Sequence, residues 1–333
     1  MIYVERHMAI GEPAVYEHDL GNGMALTAYA VDPALDEGAL EALVRSKDGK
    51  GELDLPKTSK HMKYVGTVEG FGDLNFEISD ENYEVPDGLK PFREALGEKL
   101  DAARRADGSK PFKNGDIAVI DGPHGKNIKL CKGGYYDFKA TELQAVPGDL
   151  VPGQYPAGKS VRELMPELGI TNEQRARYLC FTFSMLPDNG FEFGFVQRAK
   201  DLGIAPDCMA MSGGTPGFDP DFFKQGFDFE RFYMKSLTKQ MEHEYKLDSS
   251  EWELTGVDLI DDRDTLPCMV TEIKTPVSTK EIAKRIYGNQ RAINEHPFIY
   301  SVSTENESLR AVLQRFPIFE PCTYIMDVID RNR

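Results

Sequence analysis

Two strand-like runs, Tyr178–Met185 and Phe191–Gln197, meet across Leu-Pro-Asp-Asn-Gly. An Asn-Gly pair tolerates the positive φ angles of a tight two-residue turn, so this stretch is committed to an antiparallel hairpin. Further along, Met234, Leu237, Met241 and Tyr245 recur at three- and four-residue steps. That spacing lays one apolar stripe along a helix, and such a stripe needs a surface to bury it. A hairpin followed by a one-sided helix predicts an α/β (α+β) fold in which helix packs on sheet.

The rest of the chain carries the same mixture. Residues 2 to 80 contain short β-prone runs (Met24–Val31, Met62–Val68, Leu74–Ile78) and a polar tract, Ser46–Lys60, with little apolar periodicity. From Leu89 to Ala106 apolar and small residues recur at helical spacing, and Asp107-Gly-Ser109 then stops the helix. A charged turn followed by Pro111 predicts a boundary near residue 110, with an α+β amino-terminal segment (1–110) before a longer block (111–333). That block should begin with a hairpin, Ile117–Ile120 and Ile128–Cys131 around Asp-Gly-Pro-His-Gly-Lys-Asn, with Tyr135–Leu143 continuing the unit. A short helix over Val161–Leu168, a short run Cys208–Met211, a glycine loop Ser212-Gly-Gly-Thr-Pro-Gly217 and a helix over Phe229–Lys246 follow. Strands Trp252–Ile260 and Cys268–Lys274, a helix from Thr279, a strand Phe298–Val302 and a helix from Glu305 complete the pattern.

Charge and cysteine usage narrow the partners. With 39 Lys+Arg against 55 Asp+Glu, the net charge of −16 repels nucleic-acid phosphates at long range, and no basic patch offsets it. Nucleic acid is therefore not an expected partner, and a phosphate-bearing ligand would bring a metal ion. No apolar stretch is long enough to span a membrane, and the stretch MIYVERHMAIGEP lacks the basic and apolar regions of a signal peptide. The five cysteines are scattered, without the close pairs of structural zinc sites. These features predict a cytoplasmic protein with reduced thiols, of oligomeric state that the sequence leaves open.

Two stretches compete as phosphate sites. Gly153-Gln-Tyr-Pro-Ala-Gly158-Lys159-Ser160 satisfies the letters of a phosphate-binding P-loop. Its surroundings do not: what precedes is Pro-Gly-Asp-Leu-Val-Pro rather than a buried strand, and Pro156 removes an N–H from the cradle. Pro166 also falls six residues after Ser160, too soon for the long helix such a loop feeds. ATP binding here is the weakest of three functional readings, against a surface turn with an exposed lysine.

The second stretch is 213–247. Beside the apolar stripe of its helix, Gln240, His243 and Glu244 lie three and four residues apart and can converge in front of the helix. Amide oxygen, imidazole and carboxylate all ligate divalent ions. Glu242, His243 and Glu244 also suit an ordinary solvated face.

The order of elements around this helix resembles the Nudix superfamily. A hairpin ending in Phe-Glu-Phe-Gly-Phe-Val-Gln-Arg-Ala-Lys, a short strand, Ser-Gly-Gly-Thr-Pro-Gly, a loop, and a helix ending in Lys239-Gln-Met-Glu-His-Glu-Tyr-Lys-Leu247 carry the likeness. In the family's helix pattern the arginine falls on Lys239, the first glutamate on Gln240, the glutamate pair on His243 and Glu244, and the glycine on Lys246. One of the three metal-binding carboxylates is kept. Phe112-Lys-Asn-Gly-Asp116 and Gly134-Tyr-Tyr-Asp-Phe-Lys-Ala-Thr-Glu142 look like the lead-in of the divergent branch that hydrolyses UDP-sugars, whose signature helix is also degenerate. The likeness covers residues 112 to 333.

The resemblance implies a Nudix-like α/β/α sandwich with a mixed sheet. It also implies a metal-dependent pyrophosphohydrolase for a nucleoside diphosphate-linked small molecule such as a nucleotide sugar. Glu244 would be the catalytic residue and principal ligand of Mg2+ or Mn2+, with Gln240 and His243 as secondary ligands and weak affinity without substrate. Gly213 and Gly214 would let backbone approach the ligand, and Arg198, Lys239 and Lys235 would contact phosphate. Glu295-His296 sits where such proteins place a further acidic or basic group, and it also suits a plain loop before Pro297. The alternative is a Nudix-like nucleotide-binding protein without turnover, favoured by Gln240 and His243 standing where glutamates are expected.

Overall fold

The computed structural model describes residues 2–3, 11–36, 38, 62–68, 75–104, 108–110, 112–124, 127–177, 179–187, 192–197, 209–210, 212–214, 228–262 and 267–315. Fourteen strands are described. They are β1 (Ile2–Tyr3), β2 (Ala14–Gly21), β3 (Met24–Ala30), β4 (Met62–Val68), β5 (Asn75–Asn82), β6 (Asp116–His124), β7 (Asn127–Gly134), β8 (Cys180–Pro187), β9 (Glu192–Gln197), β10 (Met209–Ala210), β11 (Ser212–Gly214), β12 (Glu253–Asp262), β13 (Pro267–Thr275) and β14 (Phe298–Ser303). The main sheet runs β1-β2-β3-β14-β9-β8-β13-β12-β4, with β10 beside β9 and β11 beside β8. It is mixed: β13 lies parallel to β8, while β14 is antiparallel to both β3 and β9. A smaller sheet, β5-β7-β6, pairs β5 with β7 in parallel.

The boundary expected near residue 110 does not separate two sheets. From the amino-terminal segment, β3 pairs with β14, β4 with β12 and β5 with β7. The helix expected to run to Ala106 is α1 (Lys90–Ala102), which stops at an extended Ala103, ahead of the Gly108-Ser109 turn signal.

The hairpin expected across Asn-Gly is present, with Met185 opposite Gly194, although residues 188–191 of its turn lie outside the described residues. The second hairpin, β6–β7, also forms. Tyr135–Ala140, expected to prolong it, is instead a short helix, α2. The Asp137 carboxylate accepts the Gly134 N–H at 2.8 Å and Asn114 Oδ1 accepts the Tyr136 N–H at 2.9 Å. These caps satisfy the first turn and override the β preference of a Tyr-Tyr run.

Between α2 and β8 lie two single α-helical turns, α3 (Pro147–Leu150) and α4 (Val161–Leu164), and a 3-10 turn, Asn172–Gln174; α4 is half as long as expected because Pro166 stops it. The long helix α5 (Phe229–Gln240) is started by Asp228, whose side chain accepts the Arg231 N–H at 3.0 Å. It is followed by α6 (Thr279–Ile286), α7 (Gln290–Glu295) and α8 (Asn306–Arg315).

The core sits between α5, α6 and α7 and one face of the main sheet. Leu237 and Met241, both fully buried, pack in a cluster with Phe183 and Met185 of β8, Met269 and Ile273 of β13 and Ile299 of β14. Tyr233 is equally buried and donates its hydroxyl to Thr271 Oγ1 on β13 at 3.0 Å, tying helix to sheet through a polar contact as well. β14 is buried along Phe298–Val302, as a strand covered on both faces must be. Ile299 points to the helix side, while Phe298 and Tyr300 stack with each other and Phe298 meets Tyr16 edge-on. A second cluster holds Leu89, which precedes α1, and Phe92 of α1 against Ala140, Val161 and Leu164. Among the described residues no helix is long and apolar enough to cross a membrane.

Candidate functional site

The α5 helix does not end where its apolar stripe does. After Gln240 it widens into one π-helical turn, Met241–Tyr245, closed by Lys246 in the left-handed conformation with φ of 55°. Lys246 N–H bonds back to the Met241 carbonyl, as does Leu247 N–H at 3.1 Å. Two apolar anchors require this extra turn: Tyr245 and Leu247 are both fully buried, Tyr245 edge-on to Phe183 of the sheet. Such turns occur often at functional sites because they re-aim the side chains they carry.

Here the polar side is re-aimed onto one carboxylate. Gln240 Nε2 donates to Glu244 Oε2 at 3.0 Å, and His296 Nε2 lies 3.3 Å from the same oxygen. The other carboxylate oxygen, Oε1, has no partner among the described residues. The Glu244 side chain is 16% exposed, so it is reachable from solvent, whereas that of His296 is 2% exposed. His296 is fixed from two directions. Its backbone N–H bonds to the Ala292 carbonyl at 2.6 Å at the end of α7, and its ring stacks on Tyr245 with centroids 5.7 Å apart. The neighbouring Pro297 carbonyl accepts the Val31 and Asp32 N–H groups, which anchors this corner to the end of β3.

Of the residues expected at a metal site, Gln240 and Glu244 therefore meet, but Gln240 presents its N–H side. An amide in that pose supports the carboxylate and does not offer oxygen to the same point. His243 is half-buried on the same turn, and its Nδ1 is buried without a hydrogen-bond partner among the described residues. No group of three or more His, Cys, Asp and Glu side chains suited to a metal occurs among the described residues. Lys235 and Lys239 are exposed on α5. The group beside Glu244 that the sequence left open is His296.

The glycine loop is not wholly a loop. Ser212–Gly214 is strand β11, with Gly213 opposite Thr182 and Gly214 opposite Phe181 of β8. Glycine runs read as turns, yet here the pairing with β8 along one edge makes a short strand of them. Arg198 and residues 215–227 lie outside the described residues. The two stretches likened to the UDP-sugar branch touch each other: Asn114 caps α2, and Tyr135 N–H bonds to the Gly115 carbonyl at 3.0 Å.

The P-loop-like stretch is built differently from a phosphate cradle. Its glycines, Gly153 and Gly158, have φ of 83° and 73°, serving turns. The Ser160 hydroxyl donates to Glu163 Oε2 at 2.7 Å in a capping box for the single turn α4, and Lys159 is paired with Glu167 at 2.5 Å on the surface. Pro156 is exposed, and its backbone lies tight against Gly148, where a Cβ would fall 2.3 Å from the Pro156 carbonyl oxygen. Cavities occur elsewhere, one of about 220 Å³ beside Tyr83, Cys131 and Arg175 and one of about 240 Å³ beside Glu12, Tyr29 and Lys284. Both fall below the roughly 300 Å³ at which pockets for drug-sized ligands begin.

No family model matches the chain, and no curated protein matches it. Among solved structures, the crystal structure of DR0079 from Deinococcus radiodurans is similar over 46% of this chain and 81% of that one, with 11% identity and a TM-score of 0.30. A likeness that loose carries no argument about fold or activity.

Proposed function

We propose that the chain is a Nudix-like, metal-dependent pyrophosphohydrolase acting on a nucleoside diphosphate-linked small molecule such as a nucleotide sugar, in a cytoplasmic setting and on an α/β/α sandwich scaffold. The observation that carries the reading is the Glu244 carboxylate: one oxygen is held by Gln240 and His296, and the other has no partner among the described residues. The backbone at Lys246 gives further support. The resemblance puts glycine at this position, and its φ of 55° is a conformation where glycine is at home.

Glu244 Oε1, with the buried Nδ1 of His243 nearby in sequence, fits a hard divalent ion that draws most of its oxygens from water and a diphosphate. Bound there, Mg2+ or Mn2+ would neutralise the diphosphate and lower the pKa of a bound water. The chain's own contribution is to hold Glu244 still: the Gln240 amide and the His296 ring occupy Oε2, and the buried Tyr245 and Met241 on either side lock the turn that carries it. Lys239, exposed one residue before Gln240, is available to a phosphate oxygen.

Incubation with a panel of nucleoside diphosphate compounds, with Mg2+ and with Mn2+, should release nucleoside monophosphate from at least one member. One observation favours a second reading, a binding protein without turnover: Gln240 gives Glu244 an N–H where a second metal-binding carboxylate would stand. Binding of a panel member with no product would select that reading. Neither binding nor product would sink both.

A further inference from the structure

His296 is a buried ring with only one satisfied nitrogen. Nε2 lies 3.3 Å from Glu244 Oε2, while Nδ1 is buried and has no hydrogen-bond partner among the described residues. The two neutral tautomers are not equivalent in that setting. A proton on Nδ1 would be a buried donor with no acceptor, and it would leave the Nε2 lone pair facing a carboxylate lone pair. A proton on Nε2 turns the same contact into a charge-assisted hydrogen bond and leaves Nδ1 as a bare lone pair, the lesser loss. The ring is not free to turn over, since it stacks on Tyr245 at 25° between planes and its side chain is 2% exposed.

With Nε2 as donor, Glu244 Oε2 receives two N–H groups, one from Gln240 at 3.0 Å and one from His296 at 3.3 Å. A carboxylate oxygen accepts about two hydrogen bonds, so Oε2 is saturated and Oε1 is the oxygen left for a ligand. We propose that His296 is a positioning residue which, by donating Nε2–H to Glu244, presents Glu244 Oε1 to the metal-bearing diphosphate. The role rests on the reading of Glu244 as the principal ligand. It also assigns His296 no place as a ligand, because the nitrogen facing Glu244 carries the proton.

Two measurements on the full chain test this. Long-range 1H–15N correlation of the histidine rings should show His296 protonated on Nε2 with Nδ1 bare, and its ring signals should move in Glu244→Gln. A proton on Nδ1 would overturn the proposal without any variant of His296. Calorimetric titration of Mn2+ in the presence of ADP should give an affinity about 10-fold weaker in His296→Phe, which keeps a ring against Tyr245 and lacks the N–H. His296→Gln, which carries an N–H, should recover most of that loss. His296→Phe titrating like wild type while Glu244→Gln loses Mn2+ would overturn the positioning role and leave the metal reading standing. Wild type and Glu244→Gln titrating alike would overturn the metal reading itself.

Discussion

Replacing Lys246 by glycine should leave the protein more stable than replacing it by alanine, although both changes remove a charged side chain from the end of a helix. Lys246 closes the π-turn with φ of 55°, and its side chain is exposed. Holding a residue with a Cβ in the left-handed region costs about 1–2 kcal/mol. Glycine avoids that cost but gives back about 0.5–1 kcal/mol through its more mobile unfolded state. A positive charge near a helix carboxyl end is worth a further ~0.3–1 kcal/mol, which glycine also forfeits. Alanine is the control, because Lys246→Ala loses the same charge and keeps the Cβ. The two backbone contacts at this residue, its N–H to the Met241 carbonyl and its carbonyl from the Arg285 guanidinium at 3.2 Å, survive in both variants. The difference therefore isolates the backbone: Lys246→Gly should exceed Lys246→Ala by about 0.5–1 kcal/mol. With an m-value of about 3 kcal/mol/M this is a rise of roughly 0.2–0.3 M in the urea midpoint at unchanged slope. Equal midpoints, or alanine the more stable, would refute the left-handed closure at Lys246.

Leu237→Ala, at a fully buried contact between α5 and the sheet, should cost about 3–4 kcal/mol in denaturant unfolding, and Leu237→Met under about 1.5 kcal/mol. Gly148→Ala should lower thermal stability by about 1–3 kcal/mol, because the new Cβ meets the Pro156 backbone, which cannot yield as a side chain does. Lys159→Ala should leave ATP binding unchanged and alter stability by less than about 1 kcal/mol, its pair with Glu167 being exposed. Calorimetry should show Gln240→Glu with His243→Glu strengthening Mn2+ binding relative to wild type, since a hard cation then recovers the anionic charge it lacks at Glu244 alone.

What was legible in the sequence follows from how local each determinant is. The stripe Met234, Leu237, Met241, Tyr245 announces its helix because burial of one face is written at fixed intervals, and three of those residues are fully buried. Met62–Val68 and Phe298–Val302 are likewise read from their own residues. Tyr135–Ala140 failed because the deciding bond comes from Asn114, far back in the chain, against the β preference of its aromatic run. Ser212–Gly214 failed because glycine signals a turn wherever it stands, and only the neighbouring β8 makes it a strand. The π-turn adds a residue that no periodicity predicts. Gln240 and Glu244 meet, as their spacing foretold, but with an amide N–H turned to the acid. His296 reaches Glu244 across 52 residues, and the contact depends on where α7 ends against the sheet, which is settled by packing and not by any local pattern.

The pairing of β3 with β14 has a consequence for how the chain is made. β3 ends at Ala30, and its partner begins only at Phe298. At a synthesis rate of about 5–20 residues per second, the β2–β3 hairpin exists for roughly 15 to 50 s before the strand that covers its edge leaves the ribosome. During that interval β3 displays a row of unpaired N–H and C=O groups, the template on which foreign strands add. β9 waits as well, since β14 joins to it on its other side. Closure of the sheet is thus a late event dominated by distant pairings, the slowest kind of contact to form. A nascent chain stalled before residue 298 would hold both edges open, and aggregation of such fragments should start from β3 and β9.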